Sequence, residues 1–541
     1  MMKYLSDLLS GVDHAVVSET ALNPQIRALA FDSRCVTEGA LFFALPGTHT
    51  TGSAFIPQAA ERGAVAVVFQ GDIDGRLVAE NPSVAFVRVP DARFAMAPVS
   101  AAFYDHPSQK LVVIGVTGTE GKSSTVSFVW QLLRLLGRTA GFISTVQHSN
   151  GGDAVANAEH QTTPEAPIVQ ARLSEMVRNG CEYAVIESSS HGLSPKTNRT
   201  GCIDYDCGIC MNVTLEHLEF HKTFEQYRSD KANLFRKLDE CSHKKIINGK
   251  SVRVPAFGVV NLEDKSAAYF VRATRQPVIG FTTFGAAGKQ PGGSANPIPP
   301  IPEGIPAIAA RNIESTRFAL SFDMTVPGRA DEDAPIHVEA PIPGAFNVYN
   351  VMAAIAAVSR ISGTDIGTVA ARAAELVGVA GRMSVGDKGQ PFEVIIDYAH
   401  TPSSFEMIFP PLRKRCAGRM IALFGSGGER DVTKRPIQGE VAATFCDIIV
   451  LADEDPRGED PVQLLEQIAE GALKAGKKRG ETLFITPDRC AAIRQAFRMA
   501  KKGDIVLLLG KGHENSIIYK DRAIPYDERK EAEQALSELG F

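Results

Sequence analysis

The chain contains no stretch approaching the roughly 18 uncharged apolar residues that a membrane-crossing helix needs. Its opening, MMKYLSDLLSGVDHAVV, is interrupted by Asp7, Ser10 and Asp13, so it forms no apolar signal-peptide core. Together these absences predict a cytoplasmic protein with no membrane partner. A long basic run is also missing: 57 Lys and Arg stand against 62 Asp and Glu, a net charge of −5. Without a basic stripe to track a phosphate backbone, small molecules are expected as partners and nucleic acid is not. Nine cysteines over 541 residues, with no signal peptide, predict reduced thiols and not a disulfide frame. Cys202, Cys207 and Cys210 have a C-x4-C-x2-C spacing found in some iron–sulfur ligands, with Cys241 as a fourth candidate. CGICMNV reads instead as a buried strand, in which Cys207 and Cys210 point to opposite faces and act as small hydrophobes. No internal repeat occurs at solenoid spacing.

What is present is an alternation of short apolar runs with amphipathic stretches. LVVIGVTG, STVSFVWQLLRLLG, GFISTVQ, PIVQARLSEMVRNG and EYAVIESSS follow one another from residue 111. This rhythm predicts a mostly parallel twisted sheet with helices on both faces. A second series, FEVIIDYAH, MIALFGSGG, DIIVLADED, LFITPD and DIVLLLGKG, begins near residue 391 and reads as a separate Rossmann-like unit. ALFFALPG and GAVAVVF mark a smaller α/β unit before both. The expected fold is therefore α/β in three domains, at 1–108, 109–380 and 381–541, consistent with roughly 100–200 residues per domain. Residues 286–310, rich in Pro and Gly, read as a surface insertion.

The stretch VVIGVTGTEGKSSTVSF, residues 112–128, fails the usual phosphate-loop spacing G-x-x-x-x-G-K-[ST]. Val116 stands where the first glycine is required, with Gly115 and Gly118 on either side. Even so, an apolar run ends at Gly115 and a helix is predicted from near Ser123. That order aims backbone N–H groups and a positive helix end at phosphate. Lys122 would reach the outer phosphates and Ser123 would hold magnesium. Glu187 closes the predicted strand EYAVIE, at the end where a carboxylate can bind the same ion. His217 and His221 form an H-x3-H pair but lack a third ligand at recognisable spacing, which is a weak signal for zinc.

GVTGTEGKSS resembles the G-x-T-G-T-x-G-K-[ST] loop of the Mur ligase superfamily, the ATP-dependent amide-forming enzymes of peptidoglycan precursor synthesis and their folylpolyglutamate synthase relatives. FDSRCVTEGALFFALPG (31–47), TTPEAP (162–167), IESSSHGL (186–193), NVTLEHLEFHKTFEQYRSDKANLF (212–235), GAFNVYNVMAA (344–354), GRMSV (381–385), DYAHTP (397–402), GSGGERDVTKRP (425–436) and GKGHE (510–514) follow in the family's order. They cover nearly the full chain and resemble the MurE family in particular. DSR, DEDPRGED and GKGHE argue against its relatives MurF and folylpolyglutamate synthase.

The resemblance implies a monomeric, cytoplasmic, Mg2+-dependent ligase that uses ATP to add a diamino acid to UDP-N-acetylmuramoyl-L-alanyl-D-glutamate through an acyl phosphate. The three domains would then bind the UDP substrate, ATP and the amino acid in turn. Gly118, Thr119, Gly121, Lys122, Ser123 and Ser124 are the implied phosphate contacts. Asn347 would take the base, and Arg382, Asp397 and His400 the ribose or phosphates. Ser123, Glu187, His217 and a carbamylated Lys231 are the implied magnesium ligands, so Lys122, Glu187, His217 and Lys231 form the catalytic set. Ser33, Thr162, Thr163, Ser189 and Arg199 match UDP-substrate positions, although Arg199 falls slightly later than in the commonest spelling. Arg430, Asp455, Arg457, Gly510 and Glu514 match the amino-acid site. Retention of the catalytic set argues against a non-catalytic scaffold.

Several positions depart from the family pattern. R-D-H-L-D is LEHLE here, with Glu216 and Glu219 in place of aspartates, and G-C-G-G is Gly425-Ser426-Gly427-Gly428. The usual D-G-H near the uridine is Thr51-Gly52-Ser53. Enzymes of the family that add meso-diaminopimelate usually carry D-N-P-R, whereas this chain has Glu454-Asp455-Pro456-Arg457. An ionised Asp455 only accepts hydrogen bonds and adds negative charge, which favours an ammonium terminus and repels a carboxylate. On that reasoning L-lysine or L-ornithine is the expected acceptor. The alternative is meso-diaminopimelate, with Arg457 pairing to Asp455 and cancelling its charge.

Overall fold

The computed structural model describes residues 3–18, 22–47, 52–157, 161–283, 304–328 and 334–541. Three separate sheets account for the three expected α/β units. The N-terminal unit is a five-stranded sheet, with Ala40–Ala44, Ala64–Phe69 and Ala85–Arg88 at its centre, and ALFFA is buried at every position.

The central unit is an eleven-stranded sheet. Every neighbouring pair from Ala140–Ile143 to Ala307–Ser315 is parallel, and antiparallel strands finish both edges. Alternation along the strand Val112–Thr117 sends Val112, Ile114 and Val116 into one core and Val113 into the other. Helices Lys122–Leu135 and Asn347–Ser362 cover the first face, and Ala166–Arg178 and Phe224–Glu240 cover the second. Cys207 lies in the first core and Cys210 in the second, so the two thiols sit on opposite faces and share no cluster.

The expected insertion at 286–310 is corrected at its C-terminal end. Residues 286–303 fall outside the described residues, but Ala307–Ala310 begin the strand Ala307–Ser315 and three of these four are buried in the central sheet. Four small or branched residues in a row pack there, and the preceding proline-rich stretch hides that pattern in the sequence.

The C-terminal unit has six strands in the order Ser384–Gly386, Glu393–Asp397, Ile505–Leu509, Met420–Phe424, Ile448–Leu451, Leu483–Ile485. All neighbours except the first pair are parallel. Segments Asp397–His400, Gly425–Arg430, Glu454–Arg457 and Gly510–Glu514 therefore leave the carboxyl ends of adjacent strands. That is the end of an open α/β sheet where ligands bind. No described helix is long and apolar enough to cross a membrane.

Candidate active site

One cleft of about 800 Å3 is lined by both larger units. Its floor is built by register. Glu187 pairs with Val116 on one side of the strand Val112–Thr117, and Cys210 pairs with Thr117 on the other. Strand ends therefore place Glu187, the loop 118–121 and the segment from Asn212 to His217 side by side. Gly121 ends the loop at φ +83° and directly precedes the helix Lys122–Leu135, which has no side-chain cap. The free N–H groups of that fourteen-residue helix face the cleft, an arrangement suited to phosphate. A Cβ on Gly121 would lie 2.5 Å from Asn350 Oδ1. Thr119, Gly121, Lys122, Ser123 and Ser124 line the cleft, while Gly118 lies behind it and accepts from Lys231 Nζ at 2.5 Å.

Ser123 Oγ donates to Glu187 Oε1 at 3.1 Å, and Thr145 N donates to Glu187 Oε2 at 2.8 Å. A hydroxyl and a carboxylate thus converge beside the phosphate loop. Among the described residues no cluster of three His, Cys, Asp or Glu side chains could hold a metal by itself. This donor set suits Mg2+, which takes one or two protein oxygens and fills its remaining positions with phosphate and water. His217 adopts a left-handed backbone at φ +56°, with Nδ1 3.3 Å from Glu219 and Nε2 3.6 Å from Glu216. His221 is buried with both ring nitrogens engaged, by Asp230 at 2.8 Å and Ser190 at 3.0 Å, which removes the zinc reading. Lys231 is buried behind the loop and off the cleft wall, with Nζ 4.5 Å above the Tyr227 ring. Burial, then the neighbouring Lys122 charge, draws it down to about 7.

The expected nucleotide residues come from two units. Asn347 donates to Pro343 O at 2.7 Å and accepts from Asn350 at 2.7 Å. Arg382 stacks 4.7 Å over Tyr398 and brings Nη2 to 3.4 Å from Ser123 Oγ. Asp397 accepts from Met383 N at 2.7 Å and Ala399 N at 2.8 Å, and burial raises its pKa. Burial, then Lys434, holds His400 down to about 4. Glu216 reaches about 2: burial opposes ionisation, but His217, His400 and Lys122 outweigh it.

Thr162 and Ser189 line the cleft, and Thr163 lies just behind them with Oγ1 2.8 Å from Glu187 O. Arg199 donates to Thr163 O and to Glu165, both at 2.9 Å, which fixes this segment. Ser33 is not brought to the cleft: it is buried in the N-terminal unit and donates to Gln58 at 2.6 Å. Thr51 lies outside the described residues.

At the C-terminal wall Asp455 already has partners within the chain. It is not a free carboxylate, because Lys511, fully buried, donates to it at 2.8 Å and Ile518 N donates at 2.9 Å. Arg457 is a distant partner at 3.9 Å. Lys511 also pairs with Glu514, whose other oxygen takes the Tyr398 hydroxyl at 3.1 Å. Arg457 Nε and Glu454 Oε2 are buried without a hydrogen-bond partner among the described residues, as are Ser426 Oγ, Asp453 Oδ1 and His513 Nδ1 nearby in the sequence. Burial raises the pKa of Glu454 and, with Arg457 close by, lowers that of Arg430. Gly510 takes φ +96°, and a Cβ there would meet Glu454 Oε2 at 2.6 Å. Reading the sequence motif by motif missed Glu454 and Lys511 as site residues, although both lie in quoted motifs. The signal available was an unbalanced charge count across those motifs.

Comparison with known proteins accords with this geometry. Residues 25–104 match the Mur ligase family catalytic domain, 116–358 the Mur ligase middle domain and 381–512 the Mur ligase glutamate ligase domain. The chain is 50% identical to UDP-N-acetylmuramyl-tripeptide synthetase of Treponema denticola, over 97% of this chain and 95% of that one. It is 37% identical to UDP-N-acetylmuramoyl-L-alanyl-D-glutamate–2,6-diaminopimelate ligase of Geobacillus thermodenitrificans, over 95% and 96%. A solved structure of a protein bearing that second name shares the fold, with TM-score 0.60 and 23% identity over the whole of both chains. Fold, cleft and sequence agree that the chain belongs to the Mur ligase family, in its UDP-N-acetylmuramyl-tripeptide synthetase (MurE) branch, and is an ATP-dependent acid–amino-acid ligase.

Proposed function

We propose that the protein joins a diamino acid bearing a second carboxylate, the class of meso-diaminopimelate, to UDP-N-acetylmuramoyl-L-alanyl-D-glutamate. The carrying observation is that one cleft joins a phosphate loop and the Ser123–Glu187 pair to a wall with Arg430 and Arg457. The D-glutamyl carboxylate takes the γ-phosphoryl group of ATP, giving an acyl phosphate and ADP. The acceptor amine then attacks the acyl carbon, and the tetrahedral intermediate collapses by expelling phosphate. Lys122 and the helix N-terminus offset the charge of the transferring group. Ser123 and Glu187 would hold Mg2+, which supplies further neutralisation of phosphate charge when bound. His217 and a carbamylated Lys231 complete that assignment. Burial keeps part of the Lys231 population neutral, and the neutral amine is the form that reacts with carbon dioxide. Thr162, Thr163, Ser189 and Arg199 are assigned to the UDP substrate, with Asn347, Arg382, Asp397 and His400 assigned to ATP. A cytoplasmic monomer is proposed.

The expectation of lysine or ornithine rested on a free Asp455. With that charge taken by Lys511, Glu454 is proposed to receive the distal ammonium, and Arg457, beside Arg430 on the same wall, to receive a distal carboxylate. The test is phosphate release with ATP, Mg2+ and the UDP substrate, offering meso-diaminopimelate, L-lysine and L-ornithine separately. Preference for diaminopimelate is expected. Preference for lysine or ornithine would restore the reading from sequence, and silence with all three would shift weight towards a different acceptor or a non-catalytic protein.

A further inference from the structure

Glu120 is an acidic residue inside the turn proposed to cradle phosphates, an unexpected charge in that place. It is held from both sides of the cleft. Its N–H donates to Asn212 Oδ1 at 2.8 Å and its carbonyl accepts from Asn212 Nδ2 at 3.2 Å, so its backbone is fixed to the central sheet. Its Oε1 accepts from Thr401 Oγ1 at 3.2 Å, across to the C-terminal unit. Thr401 is itself well ordered: it caps the helix Pro402–Arg415, accepting from Ser404 N at 3.1 Å within a capping box. Other contacts cross nearby, from Thr214 to Ser403 at 3.4 Å and from Arg382 to Ser123 at 3.4 Å. The Glu120–Thr401 bond differs from these in reaching the turn of the loop itself.

We propose that Glu120 is a positioning residue that couples seating of the C-terminal unit to the geometry of the phosphate loop. The inference rests on the reading of this loop as the ATP phosphate seat. With the cleft closed, Glu120 is held by Asn212 through its backbone and by Thr401 through its side chain. The turn leading into Lys122 and Ser123 is then set from both units. With the cleft open, Thr401 leaves and Asn212 alone holds the turn. ATP can bind in either state, but phosphoryl transfer is favoured only after closure. The reactive acyl phosphate therefore forms where water is already excluded.

Five variants test this: Glu120→Ala, Glu120→Gln, Thr401→Val, Thr401→Ser and the E120A/T401V double variant. The readouts are kcat and KM for ATP, with ADP affinity by calorimetry. Glu120→Ala is expected to lower kcat about tenfold, the scale of one hydrogen bond. ADP affinity should stay within about threefold, because the contact acts on transfer and not on ground-state binding. Glu120→Gln keeps an acceptor oxygen and should recover most of kcat. Thr401→Val also removes the helix cap, so it should lower kcat at least as far as Glu120→Ala, and the double variant should be no worse than Thr401→Val alone, since the shared bond is lost only once. Thr401→Ser retains the cap and the hydroxyl and should behave as wild type; should Thr401→Val fail to fold, the two Glu120 variants decide. Unchanged kcat in Glu120→Ala, additive losses, or failure of Glu120→Gln would each overturn the inference. A wild type that binds no ADP would overturn the loop's role and this inference together. A wild type that binds ADP and turns over beside an unaffected Glu120→Ala would overturn the inference alone.

Discussion

Arg457→Ala tests the acceptor pocket most sharply, because the structure has already accounted for the neighbouring charges. Asp455 is held by Lys511 at 2.8 Å and lies 3.9 Å from Arg457, so within the chain the Arg457 guanidinium has only a long ion pair to a carboxylate that another cation holds more closely. Its backbone is left-handed, at φ +53°, and its N–H donates to Ile518 O at 2.9 Å. Alanine pays the same left-handed cost as arginine and keeps that bond, so the substitution isolates the head group. Two unit charges at 4 Å attract by about 4 kcal/mol at an effective dielectric of about 20, an upper figure for a partly exposed pair. Desolvation and side-chain ordering reduce that to the roughly 2–3 kcal/mol of a charged hydrogen bond, or about 30- to 150-fold in rate. The assay is kcat/KM for meso-diaminopimelate and for L-lysine, wild type against variant. Diaminopimelate should lose that factor while lysine holds steady or improves, since it has no distal carboxylate to place. An equal fall for both acceptors would refute the reasoning and place Arg457 at a group the two share, such as the α-carboxylate.

Further outcomes follow from the same geometry. Gly121→Ala combines a left-handed φ, costing about 1–2 kcal/mol, with a Cβ 2.5 Å from Asn350 Oδ1, so kcat/KM for ATP should fall at least about tenfold. Gly137→Ala, at φ +75° with open space around it, should lower the melting temperature and leave ATP kinetics alone. Lys231→Ala should reduce turnover on the order of a hundredfold or more, with partial recovery on adding short carboxylates if a carbamate operates there; activity that no carboxylate restores would count against the carbamate. His243 donates to Asp206 at 2.9 Å, which raises its pKa in the folded state. A raised folded pKa adds stability that is complete below the unfolded value near 6.5 and is lost as pH climbs through the folded value. The melting-temperature gap between wild type and His243→Gln should therefore be largest below pH 6.5 and close as pH climbs through the raised folded value; a gap that widens with pH would contradict the assignment.

Much of the fold was legible because periodicity reports burial directly. Strands such as Cys207–Cys210 and Ile505–Leu509 are apolar throughout, as strands covered on both faces must be, and helices such as Pro461–Lys474 repeat at the helical period. The strand, turn and uncapped helix start around the proposed phosphate loop were legible despite its shifted glycines, because that arrangement depends on more than one spacing. Ala307–Ala310 were not legible as a strand. The proline-rich run before them carries loop signals into residues that the sheet pairs and buries.

Most candidate site residues read from the sequence line one cleft, but their partners were not legible. Asp455 and Lys511 lie 56 residues apart, and only the adjacency of the strands Ile448–Leu451, Met420–Phe424 and Ile505–Leu509 brings their following loops together. A motif read alone assigns each charge to the ligand, whereas the folded chain uses some charges to hold others. Lys511, fully buried between Asp455 and Glu514, is of the second kind: moved away from both, it would leave two carboxylates facing the acceptor. Glu454 and Arg457 are proposed to be of the first kind, each with a buried polar atom that has no hydrogen-bond partner among the described residues. Such atoms are costly to bury, which is the ground on which the acceptor is proposed to supply a cation and an anion together. On that proposal a side chain ending in both an ammonium and a carboxylate would meet both atoms, and one ending in an ammonium alone would leave Arg457 unanswered.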